Sequence, residues 1–154
     1  MKYLAYGSNL NITQMKRRCP SAKIVGTAML NGYRLMYKGS MTGSYLTIEK
    51  TKGHKVPLGI WEINDSDLVS LDRYEGYPIF YYRKLMTITI TDDKGNDKNE
   101  KAIIYIMHED RSLGCPSDGY VKTCIDGYTD FGFDTSFLKE AYRYSMEGRK
   151  YERQ

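Results

Sequence analysis

A short segment near the N-terminus has the composition of an anion-binding backbone turn. Tyr6, Gly7, Ser8 and Asn9 lie between a predicted strand and a predicted helix. Gly7 allows backbone conformations that residues with a Cβ resist. Successive N–H groups in such a turn can point into one concavity, and the start of the helix at Asn11 adds a partial positive charge. A carboxylate or a developing oxyanion would fit this turn, although an ordinary strand–helix turn with an asparagine cap has the same sequence.

Glu75 is the second candidate, because it lies on the apolar side of a predicted helix end. Acidic residues crowd the start of the 64–78 segment, and a Gly and a Pro end the helix. Glu75 follows Leu71 by four residues and Leu68 by seven, so it shares their inward face. The positions that can face water are Asp65, Asp72 and Arg73.

A carboxylate on an apolar face is costly unless it is paired. Burial raises its pKa towards neutrality, where the group can both take and give a proton. Glu75 is therefore a candidate general acid/base. The sequence leaves a structural alternative open, in which Glu75 pairs with a base such as Arg83 or reaches solvent at the helix end.

Other catalytic arrangements are not indicated. The sequence has no Ser-His-Asp set, no G-x-x-x-x-G-K phosphate loop and no second carboxylate in a similar position. Cys19, Cys115 and Cys124 form no C-x-x-C, and His54 and His108 are not at ligand spacing from them, so we expect free thiols and no metal site. The chain also has 15 tyrosines, which suit a core or a polar pocket with stiff walls.

The elements that position these residues form an α+β pattern. About seven strands are predicted, at residues 2–6, 22–29, 33–37, 45–50, 56–63, 85–91 and 101–107. About four short helices are predicted: one after Asn11, one in the 64–78 segment, and two at 117–126 and 135–146. Because most consecutive strands are linked as hairpins, we expect a largely antiparallel, curled or barrel-like sheet with helices outside it. Residues 1–146 form one predicted domain, followed by a polar tail at 147–154.

Composition narrows the class of protein further. The 154 residues are 41% hydrophobic and 27% charged, which is typical of a globular domain. The longest apolar run, residues 102–107, is too short to span a membrane, and the N-terminus lacks a long apolar signal region. We therefore expect a cytoplasmic protein with no membrane partner. The net charge of +4 includes one tight basic cluster, Lys16-Arg17-Arg18, which we interpret as a solvated helix face and not as a nucleic-acid site.

Two motifs in this order resemble the gamma-glutamylcyclotransferase-like family. They are Tyr6-Gly7-Ser8-Asn9-Leu10 and Leu71-Asp72-Arg73-Tyr74-Glu75-Gly76, and the similarity extends to residues 105–107, 116–120 and 127. The resemblance implies a small mixed barrel flanked by helices, with no metal and no cofactor. It implies cleavage of a small-molecule gamma-glutamyl amide by the substrate's own α-amine, which releases 5-oxoproline and a free amine or amino acid.

The resemblance also implies roles for individual residues. Glu75 matches the family's acid/base, and the backbone of residues 6–10, which ends at Leu10, would bind the glutamyl end of the substrate. Tyr82 and Tyr120 match tyrosines that line the pocket in some members, and Tyr81 is the alternative to Tyr82 because residues 77–82 are strongly aromatic. The short, Gly-rich 38–44 loop favours gamma-glutamylamines or small gamma-glutamyl conjugates over glutathione.

Two other functions are compatible with the sequence. The first is a non-catalytic module of the same fold that binds a gamma-glutamyl compound or another carboxylate, since a fold does not guarantee its activity. The second is a nucleic-acid protein that uses the Lys16-Arg17-Arg18 cluster and exposed tyrosines. We expect a monomer or a small homo-oligomer.

Overall fold

The computed structural model describes residues 1–40 and 42–152, with side chains as far as Lys150. Within these residues the strands are β1 (Lys2–Ala5), β2 (Lys23–Ser40), β3 (Gly43–Glu62), β4 (Tyr81–Thr91), β5 (Asp97–Met107) and β6 (Ser112–Leu113). The helices are α1 (Ile12–Arg18), α2 (Asp65–Glu75), α3 (Asp118–Phe131) and α4 (Ser136–Glu152), and a 3₁₀ turn spans Ser8–Leu10.

Five of the strands close into a barrel. Their order is β3-β1-β5-β4-β2, and β2 pairs with β3 to complete the circuit, while β6 lies beside β2 as an extra strand. β1 runs parallel to β5, and the other pairs are antiparallel. A single bridge between Thr27 and Thr91 joins β2 to β4. The prediction of a small, mixed and mostly antiparallel barrel-like sheet flanked by helices is confirmed.

The strand count differs from the prediction because two glycine-containing segments, which were predicted as turns, continue as strand. The predicted strands 22–29 and 33–37 are one strand, β2, and the predicted strands 45–50 and 56–63 are one strand, β3. Asn31 pairs with Lys55 whereas Tyr33 pairs with Lys50, so the ribbon continues across an irregular stretch. Glycine in a strand marks a bulge as readily as a turn. The two-residue strand β6 was not predicted.

Tyrosines make up much of the barrel core, and several of them are tied to it by their hydroxyl groups. Tyr128 donates a hydrogen bond to the carbonyl of Tyr6 at 2.8 Å, and the Tyr6 hydroxyl donates to the carbonyl of Tyr105 at 2.7 Å. The Tyr81 hydroxyl donates to the carbonyl of Leu46 at 2.7 Å. Buried phenols need such partners, and each bond links two elements of the barrel.

Helix α2 has well-defined ends, which fix the position of its last residue. Asn64 and Asp67 form a reciprocal capping box at the N-terminus. The helix ends at Gly76, which adopts the left-handed conformation with φ of 65°. Glu75 is therefore the final helical residue, as the sequence indicated.

Helix α3 approaches the backbone behind the N-terminal turn at Gly127. A Cβ at Gly127 would lie 2.6 Å from the Asn11 nitrogen and 2.7 Å from the Leu10 carbonyl carbon. Gly127→Ala is therefore expected to lower the free energy of unfolding by about 1 to 3 kcal/mol, the usual cost of overpacking. Urea unfolding measures this change.

Gly119, in the same helix, is the matched control. A Cβ there would meet no atom within 4 Å, so Gly119→Ala should stabilise the protein by up to about 1 kcal/mol through its higher helix propensity. Equal effects of the two substitutions would show that the contact at Gly127 is not tight.

Helix α4 continues to Glu152, so the predicted helix end at residue 146 is too early. Polar residues in its last turns are compatible with helix because one face remains in solvent. Among the described residues, no helix combines the length and the apolar character needed to cross a membrane.

Candidate active site

A cavity of about 280 Å³ lies where the N-terminal turn meets the end of α2. Its walls come from β1, the turn after β1, the β2–β3 hairpin, the last residues of α2, strands β4 and β5, and the first turn of α3. The lining residues are Tyr3, Leu4, Tyr6, Gly7, Ser8, Asn9, Thr42, Tyr45, Leu46, Arg73, Tyr74, Glu75, Gly76, Phe80, Tyr81, Tyr105 and Tyr120. The two motifs, which are more than 60 residues apart in the chain, therefore meet at one site.

The N-terminal turn leaves several amide groups available. The Leu10 N–H donates to the Gly7 carbonyl at 3.1 Å, and the Asn11 N–H donates to the Ser8 carbonyl at 3.0 Å. Within residues 1–40 and 42–152, the amides of Gly7, Ser8 and Asn9 make no hydrogen bond. Consecutive amides without partners at a cavity wall can bind an anion.

Asn9 holds the turn in place with its side chain. Its amide nitrogen donates to the Tyr3 hydroxyl at 2.8 Å, and its side-chain oxygen accepts from Arg18 at 2.8 Å. The indole N–H of Trp61 donates to the Asn9 carbonyl at 3.0 Å. Asn9 is buried, and the hydrogen bonds of its side chain are made within the protein. The side-chain amide of Asn9 therefore supports the turn.

A second contact fixes the turn against α2. Ser8 and Tyr74 share a hydrogen bond of 2.8 Å between their hydroxyl groups. A Cβ at Gly7 would lie 3.4 Å from the Tyr120 hydroxyl and 3.5 Å from Leu46, so a side chain at this position would occupy the cavity. The small residue keeps the backbone amides accessible.

Glu75 is half-buried, and its carboxyl makes no hydrogen bond or ion pair with the part of the chain that the structure describes. Burial raises the pKa of this carboxyl to about 8, while the positive charge of Arg18 acts in the opposite direction. The structural alternative of an ion pair with Arg83 is not found, because Arg83 pairs with Asp72 at 3.4 Å and not with Glu75. A carboxyl in this state can accept or donate a proton near neutral pH.

The phenols around Glu75 keep their protons. Burial raises the pKa of Tyr3, Tyr6 and Tyr81 well above the ordinary value, and the negative charge of Glu75 raises each further. These groups therefore act as neutral hydrogen-bonding walls, and Glu75 is the group among them that titrates near neutrality.

Asp72 is partly exposed, as the sequence allowed, and its carboxylate also has partners within the protein. Its carboxylate accepts a hydrogen bond from the Tyr105 hydroxyl at 2.6 Å and lies 3.4 Å from Arg83. The Arg83 guanidinium also lies over the Tyr77 ring, 4.2 Å from its centroid. These contacts fasten the end of α2 to β4 and β5, and so they set the position of Glu75.

The basic cluster in α1 is only partly a solvated face. Lys16 and Arg17 are exposed, as predicted, but Arg18 is half-buried. Its guanidinium lies 3.5 Å from the centroid of the Tyr74 ring. The sequence analysis did not predict the contact between Arg18 and Tyr74. One signal was present, since Arg18 follows Gln14 by four residues, the spacing of a helical pair, and it donates a hydrogen bond to Gln14 at 2.7 Å.

The structure places Tyr81, and not Tyr82, on the cavity wall. Successive strand residues point to opposite faces, so the Tyr82 hydroxyl lies on the other side and donates to Glu109 at 2.6 Å. Tyr120 lines the cavity as expected, and its hydroxyl accepts the Leu46 N–H at 3.1 Å. Leu10 is buried outside the lining.

The protein is a small barrel. Its cavity holds one carboxyl, that of Glu75, which titrates near neutral pH and lies beside a turn with free backbone amides. The chain belongs to the gamma-glutamyl cyclotransferase, AIG2-like family, whose pattern matches residues 3–122. Gamma-glutamylcyclotransferase from Bos taurus is 30% identical over 145 residues, which cover 90% of this chain and 75% of the bovine protein. The Homo sapiens protein of the same name is 28% identical with the same coverage.

Solved structures share the fold of this chain. A structure of gamma-glutamyl cyclotransferase superposes with a TM-score of 0.75 at 27% identity, covering 92% of this chain and 85% of that one. YkqA from Bacillus subtilis shares the fold, with a TM-score of 0.71 at 18% identity, covering 94% of this chain and 54% of YkqA.

Proposed function

We propose that this protein is a gamma-glutamyl cyclotransferase in which Glu75 is the general acid/base. The observation that carries the proposal is one unpaired carboxyl, with its pKa raised to about 8 by burial, in the same cavity as the free amides of residues 7–9. Membership of the gamma-glutamyl cyclotransferase family supports it.

The reaction begins with the substrate's own α-ammonium group. The Glu75 carboxylate takes a proton from this group, and the free amine attacks the γ-carbonyl carbon. A positively charged substrate nitrogen beside Glu75 favours the ionised carboxylate, so binding itself prepares the base. The new C–N bond closes a five-membered lactam, and the carbonyl oxygen becomes an oxyanion.

The reaction ends with loss of the original amine. Protonated Glu75 gives its proton to the leaving nitrogen as the C–N bond breaks and the carbonyl re-forms. Over the cycle two protons move from the α-nitrogen to the leaving nitrogen, and the products are 5-oxoproline and a protonated amine. One carboxyl with a near-neutral pKa can serve both transfers.

The rest of the site orients the substrate. The amides of Gly7, Ser8 and Asn9 bind the glutamyl carboxylate or the oxyanion. Because both reacting groups belong to one molecule, rate is gained by holding a folded conformer between the turn and Glu75. The rings of Tyr81, Tyr105 and Tyr120 shape that space. No atom changes oxidation state, so the reaction as written needs no redox cofactor.

Mass spectrometry for 5-oxoproline tests this proposal. Purified protein is incubated with gamma-glutamyl dipeptides, gamma-glutamylamines and glutathione, in parallel with Glu75→Gln. Glu147→Gln is the control, since Glu147 is an exposed carboxylate far from the lining residues in sequence. We expect product from wild type and Glu147→Gln, and much less from Glu75→Gln. Binding of these compounds without any product would instead support the non-catalytic module.

The pH dependence of the reaction rate should report the ionisation of the Glu75 carboxyl. The free protein gains its base form as pH rises through about 8, so kcat/KM is expected to rise over the same interval. Arg18 lowers the pKa of Glu75, so Arg18→Met should shift this rise to higher pH. Steady-state rates between pH 6 and 10 measure the shift.

Arg17→Met is the matched control for this shift. Arg17 is exposed and is adjacent to Arg18 in sequence. Its replacement removes the same formal charge and leaves the contact between Arg18 and Tyr74 in place. An equal shift in both variants would show that Arg18 acts only through net charge.

A further inference from the structure

The three cysteines of the chain are free thiols, and they differ in their access to solvent. Cys19 and Cys124 are buried, and burial raises the pKa of their thiols to about 11 and about 12. Cys115 is exposed and lies two residues after β6, with its sulfur 3.9 Å from the Tyr142 hydroxyl of α4. Because a thiol must be accessible to react, Cys115 is the cysteine that can be modified in the folded protein.

Cys115 lies on the wall of a second cleft, of about 460 Å³. The cleft is bordered by the β2–β3 hairpin, by β6 and the residues that follow it, and by the end of α4. Thr42 and Tyr45 of the hairpin line the proposed catalytic cavity, whereas Gly43 and Ser44 line the cleft, and the two sites share no lining residue among those described. A cleft of this size can hold a small organic molecule.

The cleft contains a positive charge without a partner. Among the described residues, Arg149 is the one charged side chain that lines it. Arg149 is half-buried, and its guanidinium makes no hydrogen bond or ion pair within residues 1–40 and 42–152. Guanidinium groups bind carboxylates through charge-assisted, often bidentate hydrogen bonds. The cleft therefore favours a ligand that carries a carboxylate.

A buried hydroxyl in the same wall also points to a ligand. Ser44 is only 7% exposed, and its hydroxyl makes no hydrogen bond with the part of the chain that the structure describes. A Cβ at Gly114 would collide with the Ser44 Oγ, so the glycine leaves room for this hydroxyl at the cleft wall. Buried hydroxyl groups normally have a hydrogen-bond partner. A carboxylate bound in the cleft would accept the hydrogen bond that Ser44 does not make within the protein.

We infer that Cys115 forms a reversible mixed disulfide with a small thiol that carries a carboxylate, and that Arg149 and Ser44 bind this carboxylate. A ligand held by these two groups brings its own sulfur to the wall on which Cys115 lies. The inference does not depend on the proposed cyclotransferase function, because the cleft is separate from the catalytic cavity.

The reagent for this modification is the disulfide of such a thiol. The Cys115 thiolate attacks one sulfur of the reagent, so that a new S–S bond forms while the S–S bond of the reagent breaks. The second half of the reagent leaves as a thiolate and takes a proton from water. Cys115 is oxidised, the departing half is reduced, and an added thiol reverses the exchange.

Mass spectrometry of the intact protein, with peptide mapping, tests the inference. The folded protein is incubated with two disulfides of similar size, anionic 3,3′-dithiodipropionate and neutral bis(2-hydroxyethyl) disulfide. The measured quantity is the ratio of their rate constants for adduct formation at Cys115. The reactivity of the thiol cancels within each variant and that of the reagents cancels between variants, so a change of the ratio isolates carboxylate binding. We expect Arg149→Gln to lower the ratio about fivefold and Ser44→Ala to lower it about twofold.

Lys150→Gln is the matched control, because Lys150 is exposed, follows Arg149 in α4 and does not line the cleft. Its ratio should equal that of wild type, and dithiothreitol should restore the unmodified mass. An unchanged ratio in Arg149→Gln would overturn the inference, as would the absence of an adduct at Cys115. Modification of Cys19 or Cys124 as fast as that of Cys115 would also overturn it. Release of 5-oxoproline is measured separately, so failure of the proposed function and failure of this inference are distinguishable.

Discussion

Glu75→Gln is expected to lower kcat/KM for gamma-glutamyl substrates by about 10²- to 10⁴-fold, the range for loss of a general acid/base. Glutamine has nearly the same size, and the Glu75 carboxyl makes no hydrogen bond or ion pair with the described residues that the change could break. The substitution therefore removes proton transfer and leaves the surroundings intact. Initial rates of 5-oxoproline release under subsaturating substrate measure the loss.

Two further measurements make this result specific. Circular dichroism and binding of 5-oxoproline should be the same for Glu75→Gln and wild type, since the turn at residues 7–9 is unchanged. Glu147→Gln should retain the wild-type rate. If Glu75→Gln remained within about threefold of wild type, Glu75 would not be the acid/base, because removal of that role costs at least about 100-fold.

The same substitution is expected to stabilise the protein at alkaline pH. The pKa of Glu75 is raised from 4.5 to about 8 in the folded state, so the folded chain keeps a proton that the unfolded chain releases. The stability of wild type is therefore full below pH 4.5 and is lost as pH rises to about 8, by up to about 1.4 kcal/mol per pH unit. Glutamine cannot ionise, so the variant does not suffer this loss. Urea unfolding at several pH values between 4 and 9 measures the difference.

The control for stability is again Glu147→Gln. The carboxylate of Glu147 is exposed, so its replacement should shift the unfolding free energy by a small amount at every pH. Other titrating groups are common to both proteins and cancel when the variant is compared with wild type. A stability difference between Glu75→Gln and wild type that did not grow with pH would show that Glu75 is hydrated in the folded state.

Together these two results would show why the site is built as it is. A half-buried carboxyl without a partner reduces the stability of the fold when it is ionised, and a neutral amide would remove that cost. The protein keeps the carboxyl at the end of α2 and places Arg18 near enough to limit the rise in its pKa. Sites that are stabilised by loss of a group commonly need that group for activity.

Local patterns in the sequence were sufficient for several conclusions. The spacing of Leu68, Leu71 and Glu75 placed the carboxyl on the inward face of a helix that ends at Gly76, because a helix period relates residues only a few positions apart. The Asn11 cap and the β4–β5 hairpin were also predicted, since capping and alternation are short-range. The mixed barrel was expected from the family resemblance together with hairpin-linked strands.

Tertiary structure alone decided the contacts that complete the site. β2 pairs with β3 on both sides of residues 31–33, so strands that were predicted as separate are continuous. This pairing depends on the long-range register of the two strands, which their glycine content does not specify. The same register turns Tyr81 into the cavity and Tyr82 away from it. Asp72, which the sequence allowed to face water, is bound by a partner 33 residues away in sequence. Arg18, which was assigned to a solvated helix face, is bound by a partner 9 residues away. The sequence by itself determined which carboxyl is catalytically plausible, because local helix geometry is enough for that. Its burial, its neighbours and its pKa were decided by the fold, because each depends on elements that meet only when the barrel closes.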